Sequence, residues 1–187
     1  MSGERFKPLS ESEMTPAQAR VAAAILEGPR KTLRGPFVPL LRSPELADRV
    51  QKLGLYFRFE TKLPKPLKEL AILVTARHWG AQFEFHVHRK FAIEAGLAPA
   101  TCDSIAQGER PPGMSGDETL VYDYAGALLK TKGVSDELFA KALRRFGEEG
   151  VIDLTVCVGY YGMIGLTLNT DRTPIPEGET PLPPLKD

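Results

Sequence analysis

Residues 67–96, LKELAILVTARHWGAQFEFHVHRKFAIEAG, carry the most informative pattern of the chain. Apolar residues return at helical spacing in the first half of this segment, and the stripe consists of Leu67, Leu70, Ala71 and Val74. This spacing predicts a helix that ends near Gly80. A second helix is predicted over Phe83–Ala95, because Gly96 stops it. The segment is therefore expected to form a helix hairpin that turns at Gly80.

The rest of the chain also shows helix signals. A residue that caps a helix, or a proline suited to the first helical position, precedes each apolar periodic stretch. These predicted starts are Thr15, Ser43, Pro99, Ser115 and Ser135. Residues 30–42, rich in Gly, Pro and Arg, are expected to form a loop. The pattern predicts an all-α single domain.

The stretch Val151–Leu168 is almost uniformly apolar and carries Gly159, Gly162 and Gly165. Its Val, Ile and Tyr residues suit a strand, but its length favours a helix. A membrane span has a similar length. A helix in the core or in an oligomer interface is the preferred interpretation, since the other segments are patterned for water on one face. The glycines would let neighbouring helices approach closely.

Three segments are expected along the chain. Residues 1–14 form an N-terminal extension, residues 15–170 form the helical domain, and residues 171–187 form a proline-rich arm. Repeated prolines favour extended backbone. The arm is thus long enough to reach across a neighbouring subunit.

Composition excludes several classes of function. The 24 Lys and Arg residues balance the 24 Asp and Glu residues, so the chain lacks the basic excess of a nucleic-acid-binding protein. Its two cysteines, Cys102 and Cys157, are too few and too distant for a disulfide framework or a thiolate metal site. The polar N-terminus does not resemble a signal peptide. We expect a soluble cytoplasmic protein that binds neither nucleic acid nor a membrane.

One cluster of residues points to chemistry. Glu84 and His88 are four residues apart, so they share a face of the second hairpin helix, and that face continues into apolar residues. Glu69 lies among apolar residues of the first helix and is expected to face this pair across the hairpin. Neighbouring carboxyl and imidazole groups move each other's pKa values apart, which lets a site keep one acid and one base at neutral pH.

Other interpretations of these residues stay open at this point. Glu84 and His88 could form a purely structural pair that closes a gap between helices. A metal site would use Glu84 and His88 with Glu69 or His78 as a third ligand, although no established metal motif is present. His78 and His86 are each expected at a surface or an interface.

The hairpin resembles the carboxymuconolactone decarboxylase-like family. The resemblance rests on four features: Pro64–Pro66, the helical segment Glu69-Leu-Ala-Ile-Leu that follows it, the motif Phe83-Glu84-Phe85-x-x-His88, and the helix end Ala92-x-x-Ala95-Gly96-Leu97. It covers roughly residues 40–169. It implies the AhpD-like fold, an antiparallel all-α helical bundle, and assembly into a homo-oligomer such as a dimer, trimer or hexamer.

The resemblance also separates two chemistries. The peroxidase branch of the family carries Cys-x-x-Cys followed four residues later by His, with a Glu on the preceding helix. Here Glu69 and His88 match the relay positions, but Ala81 and Glu84 occupy the two cysteine positions. A peroxiredoxin-type thiol mechanism needs both cysteines. The decarboxylase branch instead places Glu four residues before His, as in this chain.

The implied activity is decarboxylation or isomerisation, without a cofactor or a metal, of a small carboxylated lactone from the breakdown of aromatic compounds. His88 would be the general acid–base, Glu84 would orient and tune it, and Glu69 would act as a second carboxylate or relay. The alternatives are an AhpD-like peroxidase and a non-catalytic oligomeric binding module.

Further residues are candidates for binding the substrate. Arg77 or Arg89 could hold a substrate carboxylate through a two-pronged hydrogen bond. Tyr160 and Tyr161 are expected to line the pocket from the glycine-marked helix.

Overall fold

The computed structural model describes residues 3–185, and this part of the chain contains helices and no strand. The helices are α1 (Pro16–Glu27), α2 (Phe37–Leu40), α3 (Pro44–Leu55), α4 (Lys65–His78), α5 (Gln82–Glu94), α6 (Pro99–Ala106), α7 (Gly116–Thr131) and α8 (Asp136–Asp171). A 3₁₀ turn covers Glu11–Glu13 and a π-helical turn covers Tyr56–Glu60. The predicted all-α class is confirmed.

The predicted helix starts follow from local hydrogen bonds. At the start of α1 the backbone N–H of Thr15 donates to Gln18 Oε1 (2.8 Å), and the Thr15 hydroxyl accepts from Gln18 N (3.3 Å). Ser115 and Glu118 form the same reciprocal pair at the start of α7. Each pair satisfies backbone donors that the first helical turn leaves without a partner.

Two short elements differ from the prediction. Residues 30–42 were expected to be a loop, but they contain the single turn α2. Helix α3 continues into the π-helical turn Tyr56–Glu60, which buries Phe57. Neither element is long enough to show a helical period in the sequence, and burial of their apolar side chains explains them better than propensity does.

The helices group into two compact units. The first unit joins the residues up to Thr61 with Thr167–Pro174. Its helices α1 and α2 each pack against α3. The fully buried Asp171 carboxylate accepts hydrogen bonds from Phe6 N (2.8 Å) and the Thr173 hydroxyl (2.7 Å), so the N-terminal residues are fixed to this unit. The boundaries predicted at residues 14 and 170 stay a prediction.

The second unit joins Lys62–Leu166 with the residues from Ile175 onwards. Helix α4 lies at its centre and contacts α5, α6 and α7. Buried positions occur all around α4, and Leu70, Ala71 and Leu73 are completely enclosed. A helix that is buried on every side must pair any polar side chain that it carries.

The apolar stretch from Val151 is part of helix α8. The helix breaks once, at Gly147, whose φ of 68° lies in the left-handed region that favours glycine. An 18-residue stretch of α8 has a mean hydropathy of 1.6, so by length and composition alone the helix could cross a membrane. However, 61% of that stretch is buried inside the protein. Such burial is typical of a core helix of a soluble protein.

Two of the three glycines of α8 make the close packing contacts that the sequence predicts. A Cβ at Gly165 would lie 3.0 Å from Ala81 Cβ, and one at Gly162 would lie 3.0 Å from Trp79 Nε1. Both glycines therefore allow α8 to pack closely on the hairpin turn. Gly159 has no such neighbour.

The proline-rich arm packs on its own chain. Arg77 Nη2 donates to the carbonyl of Pro183 (2.7 Å), and Leu182 N donates to Gln82 Oε1 (2.8 Å). The side chain of Leu182 joins the hydrophobic core of the second unit. The described part of the arm therefore covers α4 and α5 instead of extending away from the chain.

Candidate acid–base site

The hairpin geometry places the candidate residues in the second unit. Helix α4 ends at His78 with Trp79 as its C-cap, and Gly80 takes a φ of +59°, the left-handed conformation that commonly terminates a helix. Helix α5 begins two residues later and runs back along α4. Residues one to three turns from Gly80 on either helix are thus brought close together.

A buried ion-pair network joins the two helices. His88 Nδ1 donates a hydrogen bond to Glu69 Oε2 (2.7 Å), and Lys68 Nζ lies 3.5 Å from Glu69 Oε1. The side chains of Lys68 and Glu69 are each 4% exposed. Burial by itself raises the pKa of Glu69, but the nearby His88 and Lys68 outweigh it and hold that pKa below its ordinary value. Glu69 is therefore the ionised carboxylate of the site.

The expected partner of His88 was Glu84, and the structure differs on this point. Within residues 3–185 neither carboxyl oxygen of Glu84 has a hydrogen-bond partner, although the residue is buried. A spacing of four residues on one helix brings two side chains to a common face, but it does not decide which one bonds. Glu69 reaches Nδ1 from the neighbouring helix and takes that role.

Glu84 lies in an apolar environment beside helix α8. Its Oε2 would be 3.2 Å from a Cβ at Gly165, so the carboxyl fits into space that only a glycine leaves open. Burial raises the pKa of Glu84 well above its ordinary value. Glu84 is therefore a neutral carboxylic acid over a pH range in which Glu69 is charged.

Helix α8 adds aromatic side chains and a thiol to the cluster. The ring of Tyr161 meets the His88 imidazole edge to face, with 4.9 Å between centroids, and Tyr160 meets Tyr161 at 5.1 Å. Burial raises the pKa values of Tyr161 and Cys157, and the nearby Glu69 and Glu84 raise them further. Both carboxyl groups therefore act on the same pair of α8 side chains.

Within residues 3–185 the contacts that the structure shows for the candidate arginines Arg77 and Arg89 are with groups other than His88. Arg89 forms an ion pair with Asp103 (2.6 Å), and Arg77 holds the carbonyl of Pro183 in the arm. Burial lowers the pKa of Arg77. Binding of a substrate carboxylate by either guanidinium would require it to exchange these partners.

The other histidines take separate positions. His78 packs edge to face on Trp79 (5.1 Å), and its pKa is lowered by burial and by Lys130. His86 was expected at a surface or an interface but is buried, with Nδ1 3.5 Å from Glu179 of the C-terminal arm. Among residues 3–185 no three His, Cys, Asp or Glu side chains lie together as a metal-binding group.

Sequence reasoning missed three contributors to this cluster. Lys68 did not stand out in the sequence, because a buried lysine beside a buried glutamate has no periodic signature. Cys157 and Gly165 belong to the apolar stretch of α8, where the glycine spacing was the one available signal. Their proximity to the hairpin depends on how α8 packs.

The cluster is suited to proton transfer. The Glu69 carboxylate fixes the His88 tautomer with hydrogen on Nδ1, which leaves Nε2 to exchange a proton. Glu84 can donate a proton as a neutral acid. Two carboxyl groups whose pKa values are moved in opposite directions are the usual sign of divided acid and base roles. A thiol mechanism lacks its nucleophile, because Cys102 and Cys157 are buried with raised pKa values.

Comparison with known proteins bears on the fold. No protein-family model matches the chain, and the curated proteins give no significant match. Two solved structures are similar. A peroxidase-related protein from Ralstonia eutropha, described as an alkylhydroperoxidase AhpD core, has a TM-score of 0.76 and 15% identity and matches 95% of this chain and 94% of its own. A protein of unknown function from Agrobacterium tumefaciens, described as a putative antioxidant defence protein AhpD, has a TM-score of 0.67 and 20% identity and matches 76% of this chain and 99% of its own.

At 15% and 20% identity these similarities show the fold alone. The chain has the AhpD-like all-α fold.

Proposed function

We propose that this protein is a cofactor-free acid–base enzyme of the carboxymuconolactone decarboxylase type. Its substrate would be a small carboxylated lactone from the breakdown of aromatic compounds, which it decarboxylates or isomerises. The observation that carries the proposal is the difference between two buried carboxyl groups of the hairpin, of which Glu69 is hydrogen-bonded to His88. Glu69 is paired and ionised, whereas Glu84 is unpaired and neutral.

His88 is the proposed general acid–base. Loss of carbon dioxide leaves an electron pair that is delocalised onto the lactone carbonyl, and this pair must be protonated at carbon. An imidazolium paired with the Glu69 carboxylate can deliver that proton through Nε2 and recover it from water. Isomerisation would use the same nitrogen to remove a proton and return it at another carbon.

The two carboxyl groups then have distinct roles. Glu69 stabilises the imidazolium and fixes its tautomer, which is the orienting role that the sequence suggested for Glu84. The neutral Glu84 acid would donate a hydrogen bond to the carbonyl oxygen on which negative charge develops. Tyr161 limits the orientations of the His88 ring through its edge-to-face contact.

The rival interpretations have less support. A non-catalytic module would be expected to pair its buried polar groups, but the Glu84 carboxyl oxygens have no partner within residues 3–185. A thiol peroxidase would need an accessible thiol of low pKa. Cys102 and Cys157 show the opposite properties.

The setting proposed for this enzyme is the cytoplasm, and its proposed quaternary state is a homo-oligomer. Both described cysteines are free, which fits a reducing compartment.

The test compares two histidines of helix α5. We expect His88→Gln to reduce turnover of 4-carboxymuconolactone and related carboxylated lactones by about 10²–10⁴-fold, the usual contribution of a general acid–base. His86→Gln is the matched control, because His86 is buried on the same helix α5 but faces Glu179 of the arm. It should retain turnover near that of the wild type.

The outcomes separate the residue from the substrate. Equal turnover in wild type and His88→Gln would remove His88 from the mechanism. A wild-type protein that turns over none of these lactones would refute the substrate class. Alkyl hydroperoxide turnover that disappears in a variant lacking both cysteines would favour the peroxidase alternative.

A further inference from the structure

Arg77 is a buried cation that has no counter-charge. It lies in the last turn of α4, and 5% of the residue is exposed. Within residues 3–185 its guanidinium donates one hydrogen bond, from Nη2 to the Pro183 carbonyl (2.7 Å), and no acidic side chain pairs with it. A buried charge is costly unless an opposite charge or several hydrogen bonds compensate it. Arg77 therefore lacks the group that would normally compensate its charge.

Other arginines of the same unit are paired although they are more exposed. Their side chains are 33% to 53% exposed, and each binds the carboxylate of an aspartate; these are Arg89, Arg110 and Arg145. The hydrogen bond to that carboxylate raises the pKa of each of them, whereas burial lowers the pKa of Arg77 with no acidic group to oppose it. The least exposed of the four is thus the one that has no anion in the described part of the chain.

The unused donor of Arg77 indicates the shape of the missing group. Nε is buried and has no hydrogen-bond partner within residues 3–185. A guanidinium is planar, so Nε–H and one N–H of Nη2 point to the same side and are spaced to meet the two oxygens of a carboxylate. A single oxygen, the Pro183 carbonyl, now bonds one of these two donors. A carboxylate would bond both and would also neutralise the charge.

The surroundings of this edge of the guanidinium are apolar. A Cβ at Gly108 would lie 3.7 Å from Arg77 Nη2 and 2.9 Å from Leu185 Cδ2, so the guanidinium borders a position without a side chain and a leucine. Leu182, next to Pro183 in the chain, packs into the hydrophobic core. The arm thus presents a carbonyl oxygen together with two leucine side chains. A ligand that takes its place is expected to combine an oxygen acceptor with a small apolar body.

The charge around Arg77 favours a carboxylate over a phosphate. No second cation contributes to the pKa of Arg77, since burial is the one cause of its change. A phosphate dianion would keep an uncompensated charge beside the two leucines, whereas a carboxylate monoanion matches one guanidinium. A small apolar carboxylate therefore fits both the charge and the surroundings.

The arm can leave this position without disturbing the helices. Besides the bond from Arg77, one backbone hydrogen bond holds it here, from Leu182 N to Gln82 Oε1 (2.8 Å). Three of the five residues 181–185 are prolines, which have no N–H to donate. Segments outside regular structure that few hydrogen bonds hold open locally at low free energy. Exchange of the arm for a ligand would leave α4 and α5 intact.

This position is separate from the candidate acid–base site. The carboxyl groups of Glu69 and Glu84 both raise the pKa values of Cys157 and Tyr161. Neither of them contributes to the pKa of Arg77. A carboxylate bound by Arg77 is therefore a second ligand and not the reacting group beside His88.

We propose that the Nε–Nη2 edge of Arg77, with the apolar surface that Leu182 and Leu185 now cover, is a second binding site for a small apolar carboxylate. The Pro183 carbonyl occupies this site when the ligand is absent, so the ligand and the arm exclude one another. The proposal does not rest on the function proposed for His88, because binding and not turnover tests it.

The first test titrates the full chain with benzoate and follows binding by isothermal titration calorimetry. Benzamide has the same shape without the charge, and acetate has the charge without the apolar body. We expect benzoate to bind saturably and both comparison compounds to bind about tenfold or more weakly, because each lacks one of the two interactions.

Variants then locate the bound benzoate. Arg77→Gln is expected to raise its dissociation constant about tenfold or more, and Arg77→Lys should also weaken binding because an ammonium lacks the planar pair of donors. Arg145→Gln is the matched control for the loss of one positive charge, since Arg145 is paired with Asp117. His88→Gln is the control for the candidate site. Both controls should bind benzoate as the wild type does.

The second test measures the arm and does not depend on Arg77→Gln folding well. Because residues 181, 183 and 184 are prolines, Leu182 and Leu185 carry the only amide hydrogens between 181 and 185. Benzoate is expected to accelerate hydrogen exchange at Leu182 with the same concentration dependence as in calorimetry. Leu182→Ala, which weakens the packing of the arm, should lower the dissociation constant of benzoate, because the binding-competent state becomes more populated.

Several results would overturn the proposal. These are no saturable binding of benzoate up to about 10 mM, equal binding of benzamide, and equal binding by Arg77→Gln. Loss of binding in His88→Gln would assign benzoate to the candidate acid–base site instead. Binding that leaves hydrogen exchange at Leu182 unchanged would show that the arm and the ligand do not compete.

Discussion

The surroundings of Glu69 and Glu84 differ although the two carboxyl groups belong to one site and are equally buried. Glu69 lies between two basic side chains, with His88 at 2.7 Å and Lys68 at 3.5 Å. Glu84 lies against Gly165 and Ala81, and its oxygens have no hydrogen-bond partner within residues 3–185. The pKa of Glu69 is lowered, whereas the pKa of Glu84 is raised.

This difference shows that burial alone does not decide the charge state of a carboxyl group. Desolvation raises the pKa of both residues, and it wins where no cation opposes it. One hairpin therefore provides a charged carboxylate and a neutral acid without a metal ion or a thiol. The following experiments test whether the two groups really differ in this way.

The largest expected effect comes from removing the paired carboxylate. Glu69→Gln removes the negative charge that lies 3.5 Å from the buried Lys68 ammonium and 2.7 Å from the His88 imidazole. We expect it to lower the free energy of unfolding by about 3–5 kcal/mol, measured by urea denaturation at pH 7. Glu84→Gln is the matched control and should not lower the free energy of unfolding, because glutamine is neutral at every pH and carries no cost of keeping a buried carboxyl protonated. Equal losses in the two variants would show that both carboxyl groups are paired.

The next effect is the pH dependence caused by Glu84. Its folded-state pKa is raised above the ordinary value of 4.5, so between these two values the folded protein binds more protons than the unfolded chain does. Stability should then fall as the pH rises above 4.5, by at most about 1.4 kcal/mol per pH unit, until Glu84 ionises in the folded state. The difference in unfolding free energy between wild type and Glu84→Gln, measured at a series of pH values above 4.5, isolates this contribution.

Glu69 is expected to show the opposite sign in the same measurement. Its pKa is lowered from 4.5, so its contribution is fully present above pH 4.5 and is lost as the pH falls through the folded-state pKa. A Glu84→Gln profile parallel to that of the wild type above pH 4.5 would contradict the assignment of Glu84 as a neutral acid.

The smallest effect concerns the space beside Glu84. In Gly165→Ala the new Cβ would press on Ala81 and the Glu84 carboxyl, at 3.0 and 3.2 Å, which costs about 1–3 kcal/mol and is partly offset by the better helix propensity of alanine. We expect a net loss of about 1 kcal/mol by thermal denaturation. Gly126→Ala in α7 meets no atom within 4 Å and should be neutral or slightly stabilising. A stabilised Gly165→Ala would mean that Glu84 is not closely enclosed.

Much of the fold could be predicted from local patterns. Capping residues such as Thr15 and Ser115 form hydrogen bonds within one helical turn, so their sequence signature is nearly sufficient. The same holds for the hairpin at Gly80. The turns α2 and Tyr56–Glu60 were missed because non-local burial of their side chains stabilises them.

The sequence predicted several residues of the candidate site but not the hydrogen bonds between them. Glu69, His88 and Tyr161 do meet, but the sequence suggested Glu84 as the partner of His88, and Glu69 bonds it instead. Arg77 and Arg89 bind the arm and Asp103, whose positions no spacing along the chain reveals.

By itself the sequence determined the longer helices, the capping residues at which several of them begin, and that a carboxyl and an imidazole share one face of α5. These features depend on residues within about one turn of each other. Only the tertiary structure decided that Glu69 is charged, that Glu84 is neutral, and that Gly159 faces outwards whereas Gly165 faces the site. Charge state and exposure depend on the atoms that other helices bring near, and helix packing sets those distances.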